Sequence, residues 1–333
     1  MNKKNKMQKL FRSILYSYPG YISYYYTQRL SGFKKERQHI HKKIGYYPDY
    51  RNPKSFNEKI FYKKVYDRNP LLPITSDKYR VREYIRNCLG ESEAESILVP
   101  LLYVTDKPET IPFDSLIEDY VIKPNHSSGK IILAEIVDGK RIYRLLLNNS
   151  MVTFDDSKSS KADIIELCKS WLSKPYAFRH HEWAYQKIKR KIIIEKLLHN
   201  SDGRIASEYK INVFNGKCND IVVVHNRFRE MSQASYSPEW EPIKSLNSRK
   251  NIREAENEKK PKNLEYMIKL AEKLAKSFDY VRVDLYRVNV HLYFGELTHY
   301  TASGAIPFNP ISHDYELGLK WKIIPGYWKI FKN

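Results

Sequence analysis

The sequence has few cysteines and no long apolar segment. Its three cysteines, Cys88, Cys168 and Cys218, have no metal-ligand spacing and cannot all pair with one another, which is typical of a reducing compartment. A run of about 18 apolar residues is absent, so we expect no membrane-spanning helix. The basic N-terminus lacks the continuous apolar core and small-residue cleavage site of a signal peptide. These absences together predict a cytoplasmic protein.

Negative charge is nearly absent from the start of the chain. Residues 1–43 hold eleven lysines and arginines against one acid, Glu36, and so carry half of the net charge of +20. Aromatic and apolar residues are interleaved with these charges at partly helical spacing, with a break at Pro19 and Gly20. Two interpretations stay open. Residues 1–45 bind an anionic membrane surface, at the inner face of the plasma membrane, or they form a helical arm that packs on the body with its lysines solvated.

Nucleic acid is the other anionic partner that a basic composition with 27 tyrosines suggests. The sequence contains no recognised nucleic-acid-binding motif and no internal repeat. We therefore do not expect a nucleic-acid partner. With 333 residues and 42% hydrophobic positions, the chain is long and apolar enough for a globular protein of two or three lobes.

The most informative segment is a predicted hairpin at residues 280–298, called the acidic hairpin below. Two runs of alternating apolar residues around a short polar turn are typical of antiparallel strands. Alternation puts Arg282 and Asp284 on one face of the first strand, and the pairing can bring Glu296 to the same end. Two carboxylates beside an arginine suit Mg²⁺ that holds a polyphosphate. Solvated charges on an edge hairpin would give the same pattern.

A second candidate site is the loop at residues 127–130, called the serine loop below. It follows a short strand that ends at Lys123 and Pro124, and it leads into another apolar strand. Such a tip can offer backbone N–H groups and hydroxyls to phosphate, with Lys123 as a point charge. Because the loop has one glycine and matches neither G-x-x-x-x-G-K-[ST] nor G-x-G-x-x-G, a serine-rich turn without a ligand is the alternative.

Further candidates lie on either side of this loop. Lys78 follows a predicted helix cap at Ser76 or Asp77, where a solvated basic face is the alternative. Lys210 lies on the first strand of a predicted hairpin that turns at an Asn-Gly dipeptide, and it can reach a nucleotide phosphate.

A charged pair also interrupts the apolar strand at residues 192–198. Glu195 and Lys196 would need partners if they were buried. A strand between two lobes whose backbone reads an adenine edge explains the pair, and so does an exposed strand end.

In order along the chain, these motifs resemble the TupA-like branch of the ATP-grasp superfamily, over roughly residues 50–320. The matching segments are NPKSFNEK (52–59), DK with a following arginine (77, 78 and 82), VIKPNH (121–126), EWAY (182–185), IE (194–195), EYK (208–210), FNG (214–216), NRF (226–228), VRVD (281–284), FGELT (294–298) and SG (303–304). Each segment is short, and their order and spacing make the match specific.

The resemblance implies an α+β fold in which two lobes with antiparallel sheets grip a nucleotide. It implies four segments: a basic helical N-terminal arm (1–50), an N-terminal lobe (51–118), a subdomain with the lid loop (119–199) and a C-terminal subdomain with the metal hairpin (200–333). The implied cofactors are ATP and Mg²⁺.

The resemblance also assigns roles to the candidate residues. Nucleotide-binding residues would be Lys78, Lys123, Ser127, Ser128, Gly129, Lys130, Glu195, Lys196, Leu197 and Lys210, with the serine loop as the lid and the strand around Glu195 beside the adenine. Metal ligands would be Asp284, Glu296 and Thr298. Catalytic residues would be Arg282, on the acyl-phosphate or the γ-phosphate, and Lys210. Arg227 can line the acceptor side, where a surface strand end is the alternative.

Three positions depart from the usual family pattern. Thr298 stands where many members have an asparagine that binds metal, so we expect weaker metal binding. The lid has fewer glycines than is typical, and Glu208 stands where an aspartate is expected in this branch. These departures affect the expected number of bound metal ions and the mechanics of the lid. They do not affect the predicted fold.

The family context predicts a Mg·ATP-dependent carboxylate–amine ligase of capsule or cell-surface polysaccharide biosynthesis. Its substrates would be a uronic acid or amino acid and an amine. The alternatives are a sugar or alcohol kinase, a glycosyltransferase of the same pathway and, from a different class, a basic protein that binds membrane or nucleic acid without ATP turnover.

Overall fold

Two β-sheets, built almost entirely from antiparallel pairs, form the frame of the protein. The computed structural model describes residues 18–147, 150–174, 176–225, 231–243, 253–254 and 259–324. The helices in these ranges are α1 (Tyr18–Leu30), α2 (Lys34–Ile44), α3 (Phe56–Tyr66), α4 (Leu72–Thr75), α5 (Val81–Leu89), α6 (Glu91–Ile97), α7 (Lys158–Ser173), α8 (Tyr176–His180), α9 (Leu264–Ala275) and α10 (Ser312–Lys320). Separate helices around antiparallel sheets confirm the predicted α+β class.

The first sheet contains the strands on either side of the serine loop. Its members are β1 (Leu101–Thr105), β2 (Tyr120–Pro124), β3 (Ile132–Val137), β4 (Lys140–Leu147), β5 (Ser150–Phe154) and β6 (Ile192–Lys196). The spatial order is β1-β6-β2-β3-β4-β5. Helix α7 covers one face and buries Ile164, Cys168 and Trp171 against the sheet. The apolar run predicted as a strand near residue 195 is β6, with β1 and β2 on its two sides.

The second sheet carries the acidic hairpin. Its members are β7 (Ser207–Phe214), β8 (Lys217–His225), β9 (Ser232–Tyr236), β10 (Pro242–Ile243), β11 (Arg253–Glu254), β12 (Tyr280–Val288) and β13 (His291–Thr298). The order is β10-β9-β8-β7-β12-β13, and β11 pairs in parallel with β9. The predicted turn between β7 and β8 is confirmed, since Asn215 and Gly216 both have positive φ, 48° and 82°, as a tight hairpin requires.

Helix α3 starts at a capping box that the sequence motif NPKSFNEK contains. The Ser55 side chain accepts a hydrogen bond from the Glu58 backbone N–H, and the Glu58 carboxylate accepts one from the Ser55 N–H. Helix α10 packs on this turn so closely that a Cβ on Gly318 would lie 2.0 Å from the Lys54 carbonyl oxygen. The contact fixes the end of the described chain beside the start of α3.

The N-terminal helices pack on the body of the protein. Tyr25 stacks on His181 with ring centroids 5.3 Å apart and meets Phe178 edge-on. Helix α2 buries Ile40 and Ile44 in a cluster with residues of α3. The packed-arm interpretation is therefore confirmed for residues 18–44, whereas residues 1–17 lie outside the described ranges. Within those ranges, no helix is both long enough and apolar enough to cross a membrane.

The sheet boundaries differ in one respect from the predicted segments. Strand β1 belongs to the segment expected to form the N-terminal lobe (51–118), but it pairs with β6 of the following segment. The boundaries at residues 50, 118 and 199 stay predictions.

Candidate functional site

The acidic hairpin forms, and its pairing brings the two carboxylates together. Asp284 lies opposite Glu296, and Arg282 lies opposite Thr298. The register shifts just after Asp284, next to Gly295, where an added Cβ would lie 2.9 Å from the Asp284 carbonyl oxygen. Glycine permits this close approach of the two strands beside the facing carboxylates.

Asp284 is completely buried and is held by two cationic side chains. Arg282 donates two hydrogen bonds to it, Nε to Oδ1 and Nη2 to Oδ2, both 2.6 Å long. The Lys210 ammonium lies 3.1 Å from Asp284 Oδ2 and 2.9 Å from Glu208 Oε2. Burial raises the pKa of Asp284, and the charges of Arg282 and Lys210 oppose that rise. The bidentate geometry fixes the guanidinium of Arg282 toward Glu296 and Thr298.

Glu296 connects the hairpin to the serine loop through Lys78. The Lys78 ammonium lies 3.0 Å from Glu296 Oε2 and donates to the Ser127 carbonyl oxygen at 3.2 Å. The other Glu296 oxygen accepts a hydrogen bond from Thr298 Oγ1 at 3.2 Å. Lys78, Ser127 and Glu296, three residues predicted from separate motifs, therefore meet at one point.

Lys78 is not on the helix that the sequence predicted for it. Helix α5 begins at Val81, and Lys78 lies in the preceding turn. The reason is Asp77, whose side chain accepts hydrogen bonds from the backbone N–H groups of Tyr79 and Arg80 and so stabilises a turn there. The turn points the Lys78 ammonium at the serine loop.

The base of the serine loop is fixed by Asn125. This buried side chain donates to Asp77 Oδ1 at 2.8 Å and to the Lys189 carbonyl at 3.0 Å, and it accepts from the Lys191 N–H at 2.8 Å. Both the NH2 group and the carbonyl oxygen of the side-chain amide thus join the loop to neighbouring segments. Asn125 lies in the matching segment VIKPNH, but these contacts were not predictable because its partners are distant in sequence.

The serine loop has a hydrogen-bond donor that the fold does not use, and basic side chains lie around it. The Ser127 hydroxyl is buried and, within the part of the chain that the structure describes, has no hydrogen-bond partner. Burial, with the positive charges of Lys130 and Arg190, lowers the pKa of His126 to about 3. Burial, with the charge of Lys174, lowers the pKa of Lys130 to about 8. An unpartnered hydroxyl among cationic side chains fits a bound phosphate group.

A cavity of about 800 Å³ lies beside the hairpin and the loop. Five of the predicted site residues contribute to its walls: Ser128, Lys210, Arg282, Glu296 and Thr298. Its volume is within the usual range for small-molecule sites.

Other predicted nucleotide-binding residues are engaged elsewhere. Lys123 forms an ion pair with Glu195 at 2.5 Å, across the adjacent strands β2 and β6. Lys196 is exposed and lies 2.7 Å from Glu118, and the backbone N–H groups of Lys196 and Leu197 donate to carbonyl groups of the fold. Gly129 is exposed at the tip of the serine loop with φ of +71°. The predicted catalytic residue Arg227 lies outside the described residues.

The predicted metal ligands differ in how well their surroundings suit Mg²⁺. Mg²⁺ is usually held by one or two carboxylates together with substrate oxygens and water. Glu296 fits this role, because it is partly exposed on the cavity wall beside the Thr298 hydroxyl. Both oxygens of Asp284 accept hydrogen bonds from cations. Among the described residues, no group of three His, Cys, Asp or Glu side chains is placed to bind a metal.

The cavity has a second polar wall that the sequence analysis missed. Ser128 of the serine loop lies 3.3 Å from the Tyr176 hydroxyl, and Tyr176 is hydrogen-bonded to Glu182. Burial raises the pKa of Glu182 to about 7. Glu182 is also hydrogen-bonded to Ser303. Glu182 and Ser303 lie in the matching segments EWAY and SG, but their contact was not predicted, since the connected residues are separated by up to 175 positions.

Ser303 belongs to a strained segment of the same wall. Ala302 and Ser303 have positive φ values of 46° and 57°, and Gly304 follows with 75°. Left-handed backbone costs an ordinary residue about 1–2 kcal/mol, so two in succession need support from their surroundings. Support comes from the buried Lys64, which donates to the Ser303 carbonyl at 3.0 Å and to its hydroxyl at 2.9 Å, and which pairs with Glu36 of α2 at 2.7 Å.

Comparison with known families gives one match. A family model described as TupA-like ATPgrasp matches residues 58–322. The matched range includes both sheets, the serine loop and the acidic hairpin, whereas α1 and α2 precede it. A search of curated proteins found no match.

Several solved structures are similar in part. D-alanine–D-alanine ligase from Bacillus anthracis, complexed with ATP, is 16% identical with a TM-score of 0.40, over 74% of this chain and 64% of that chain. ATP-grasp ligase PsnB, complexed with a precursor variant, Mg and ADP, is 11% identical with a TM-score of 0.36, over 79% and 60%. D-alanine–D-alanine ligase from Helicobacter pylori is 13% identical with a TM-score of 0.36, over 75% and 62%. The chain thus spans less than two thirds of the length of each of these structures.

Proposed function

The chain belongs to the TupA-like ATP-grasp family, and we propose that it is a Mg·ATP-dependent ligase that joins a carboxylate to an amine through an acyl-phosphate. Its α+β architecture is the ATP-grasp fold that the sequence motifs predicted. ATP and Mg²⁺ are the cofactors of that family.

The observation that carries the proposal is the position of Lys78. Its ammonium joins the serine loop to Glu296 of the acidic hairpin, with contacts of 3.2 and 3.0 Å. A lysine between a donor-rich loop and a carboxylate suits a polyphosphate whose metal is bound by that carboxylate. The unpartnered Ser127 hydroxyl and the nearby charge of Lys130 support the same site.

Each predicted residue has a role in this proposal. Lys78, Lys123, Lys130 and the serine loop bind phosphates, and the strand at Glu195–Leu197 borders the adenine. Glu296 and Thr298 bind Mg²⁺, and Asp284 either ligates the metal or orients Arg282 and Lys210. Arg227 lies on the acceptor side.

The chemistry requires activation of a carboxylate, since hydroxide is a poor leaving group. ATP supplies the phosphoryl group and Mg²⁺ neutralises its charge when both are bound. Arg282 and Lys210 stabilise the negative charge that develops during the transfer, and the serine loop excludes water from the reactive acyl-phosphate. The amine then attacks the acyl carbon, phosphate leaves, and the amide forms.

Glu182 is the proposed acceptor of the proton that the attacking amine loses. It lies on the cavity wall, and its pKa is raised to about 7 by burial. A base that titrates near neutral pH is suited to this transfer. The Tyr176 hydroxyl, hydrogen-bonded to Glu182, would hold its carboxylate in place.

We further propose a role in capsule or cell-surface polysaccharide biosynthesis, with a uronic acid or amino acid as the carboxylate substrate. The predicted cytoplasmic location, at the inner face of the plasma membrane, belongs to this proposal.

The direct test is turnover with Mg·ATP, a panel of uronic and amino acids, and amines. We expect release of ADP and phosphate and an amide product by mass spectrometry. Glu296→Gln abolishes turnover with an unchanged unfolding transition, whereas Glu265→Gln, which alters an exposed helix pair, leaves turnover unchanged. Unchanged activity of Glu296→Gln would refute the metal assignment. ADP release with a phosphorylated product and no free phosphate would identify a kinase instead.

A further inference from the structure

Helix α2 presents a stripe of cations to the cavity. Lys35, His39 and Lys43 are four residues apart, so they lie along one face of the helix over about 12 Å. All three line the cavity that also contains Arg282 and Glu296. By contrast, Lys34 and Lys42 of the same helix are exposed but do not line it.

The stripe is held toward the cavity by buried contacts. Glu36, the residue after Lys35, also reaches the cavity wall, and it pairs with the fully buried Lys64, which in turn binds Ser303 of the strained segment. Ile40 and Ile44 are buried in the core cluster beneath the helix. Rotation of α2 would expose these apolar side chains and break the ion pair, so the cations stay on the cavity wall.

The charge on this wall is not neutralised by the protein. Within the described residues, Lys35 and Lys43 have no ion-pair partner, whereas Glu36 is used by Lys64. His313 and Lys320 of α10 also line the cavity, near Asp220. The cavity contains five carboxylates, those of Glu36, Glu182, Glu208, Asp220 and Glu296. Within the described residues none of them forms an ion pair with Lys35 or Lys43, so these two lysines favour an anionic ligand.

We propose that Lys35, His39 and Lys43 bind an anionic group, a phosphate or a carboxylate, on the substrate that shares the cavity with ATP. This inference rests on the ligase proposal and adds a substrate class to it: the substrate carries a negative charge that is not consumed in the reaction. The basic N-terminal helix thereby serves a small-molecule site, and its cavity-facing charge is not directed at a membrane.

The test uses the full chain saturated with Mg·AMP-PNP, so that the triphosphate site is filled. Glucose 1-phosphate, D-glucarate, which has a second carboxylate beside the reactive one, and neutral glucose are titrated by calorimetry. We expect one or both anionic sugars to bind and glucose not to bind. Lys35→Gln/Lys43→Gln weakens this binding about tenfold, whereas Lys34→Gln/Lys42→Gln, which removes the same charge from the same helix, changes it less than twofold.

The phosphate and carboxylate probes distinguish the two sources of negative charge. Equal effects of the two double variants, or binding of neither anionic sugar, overturn the proposal. Flotation with phosphatidylglycerol vesicles is run in parallel. Recovery that falls with Lys35→Gln/Lys43→Gln, without sugar binding, would assign the stripe to a membrane surface instead.

A separate measurement tests the ligase proposal. A thermal shift with Mg·AMP-PNP reports nucleotide binding before any sugar is added. If no nucleotide binds, the ligase proposal fails, and the sugar titration of the nucleotide-free chain still tests the stripe through the two double variants. If nucleotide binds and the anionic sugars do not, only the anion site is rejected.

Discussion

The buried ion pair between Glu36 and Lys64 links a helix outside the family match to the strained wall of the cavity. Lys64 is fully buried, and its ammonium contacts Glu36 at 2.7 Å and two oxygens of Ser303 at 2.9 and 3.0 Å. Burial raises the pKa of Glu36, but the charge and hydrogen bond of Lys64, with smaller contributions from His181 and His180, together hold that pKa below its ordinary value. Glu36 is therefore ionised at neutral pH.

Removal of one partner leaves an uncompensated buried charge, which costs about 3–5 kcal/mol. We expect Lys64→Met to lie in this range, since it also leaves the Ser303 oxygens without a donor. Glu36→Gln leaves the Lys64 ammonium without its counter-charge and should cost about 3 kcal/mol. The double variant has no buried charge and loses mainly the contact with Ser303, so about 1–3 kcal/mol is expected.

The assay is urea unfolding at pH 7 of the wild type, both single variants and the double variant, followed by two spectroscopic probes. A coupling free energy of about 3 kcal/mol between the two positions is expected. Additive single effects, or single effects below about 1 kcal/mol, would refute the view that this pair holds α2 in place.

The dependence of these effects on pH has a defined sign. The folded-state pKa of Glu36 is below the model-compound value of 4.5. The stability from its charge is therefore present above pH 4.5 and is lost as the pH falls through the folded-state pKa. Consequently, the difference between wild type and Glu36→Gln should shrink in acid.

Two more predictions concern Gly318 and Glu182. Gly318→Ala should destabilise the fold by several kcal/mol in thermal unfolding, because its Cβ would lie 2.0 Å from the Lys54 carbonyl oxygen. The control Leu319→Ala, at an exposed neighbouring residue, should leave the stability unchanged. Equal effects of the two variants would argue against the tight contact. Glu182 has a folded-state pKa of about 7 against 4.5, so wild-type stability falls as the pH rises from 4.5 to 7. Glu182→Gln should remove this loss of up to about 3 kcal/mol, and parallel pH profiles of the two proteins would contradict it.

Features with a local cause were predictable from the sequence. The acidic hairpin follows from apolar alternation, the β7–β8 turn from an Asn-Gly dipeptide, and the start of α3 from the capping residues Ser55 and Glu58. In each case the pattern and the interaction lie within about twenty residues. Interactions between residues so near in sequence can be predicted from the residue pattern.

Features that depend on distant partners were not predictable. The ion pair of Lys123 with Glu195 is one example, because β2 and β6 become neighbours only in the folded sheet. The role of Lys123 as a phosphate ligand stays a prediction. Lys64 gave no signal, since its partners Glu36 and Ser303 are 28 and 239 positions away. The burial of a charged side chain cannot be predicted from the sequence when its ion-pair partner is distant along the chain and comes close only in the fold.

The charges of the candidate site explain why a second source of positive potential is needed. Three cations, Lys78, Lys210 and Arg282, lie against three carboxylates, those of Glu208, Asp284 and Glu296. Such a cluster is close to neutral, so it can orient a triphosphate and its metal but adds little attraction for a second anionic substrate.

The remaining positive charge is on the other walls of the cavity. Lys35 and Lys43 of α2 line the cavity and have no ion-pair partners among the described residues. In the proposed function these two groups of charges have separate tasks: the first acts on the transferring phosphoryl group, and the lysines of α2 select an anionic substrate. The proposed double variant of Lys35 and Lys43 should therefore weaken sugar binding while leaving the thermal shift with Mg·AMP-PNP unchanged, and a loss of both would show that the two walls act as one site.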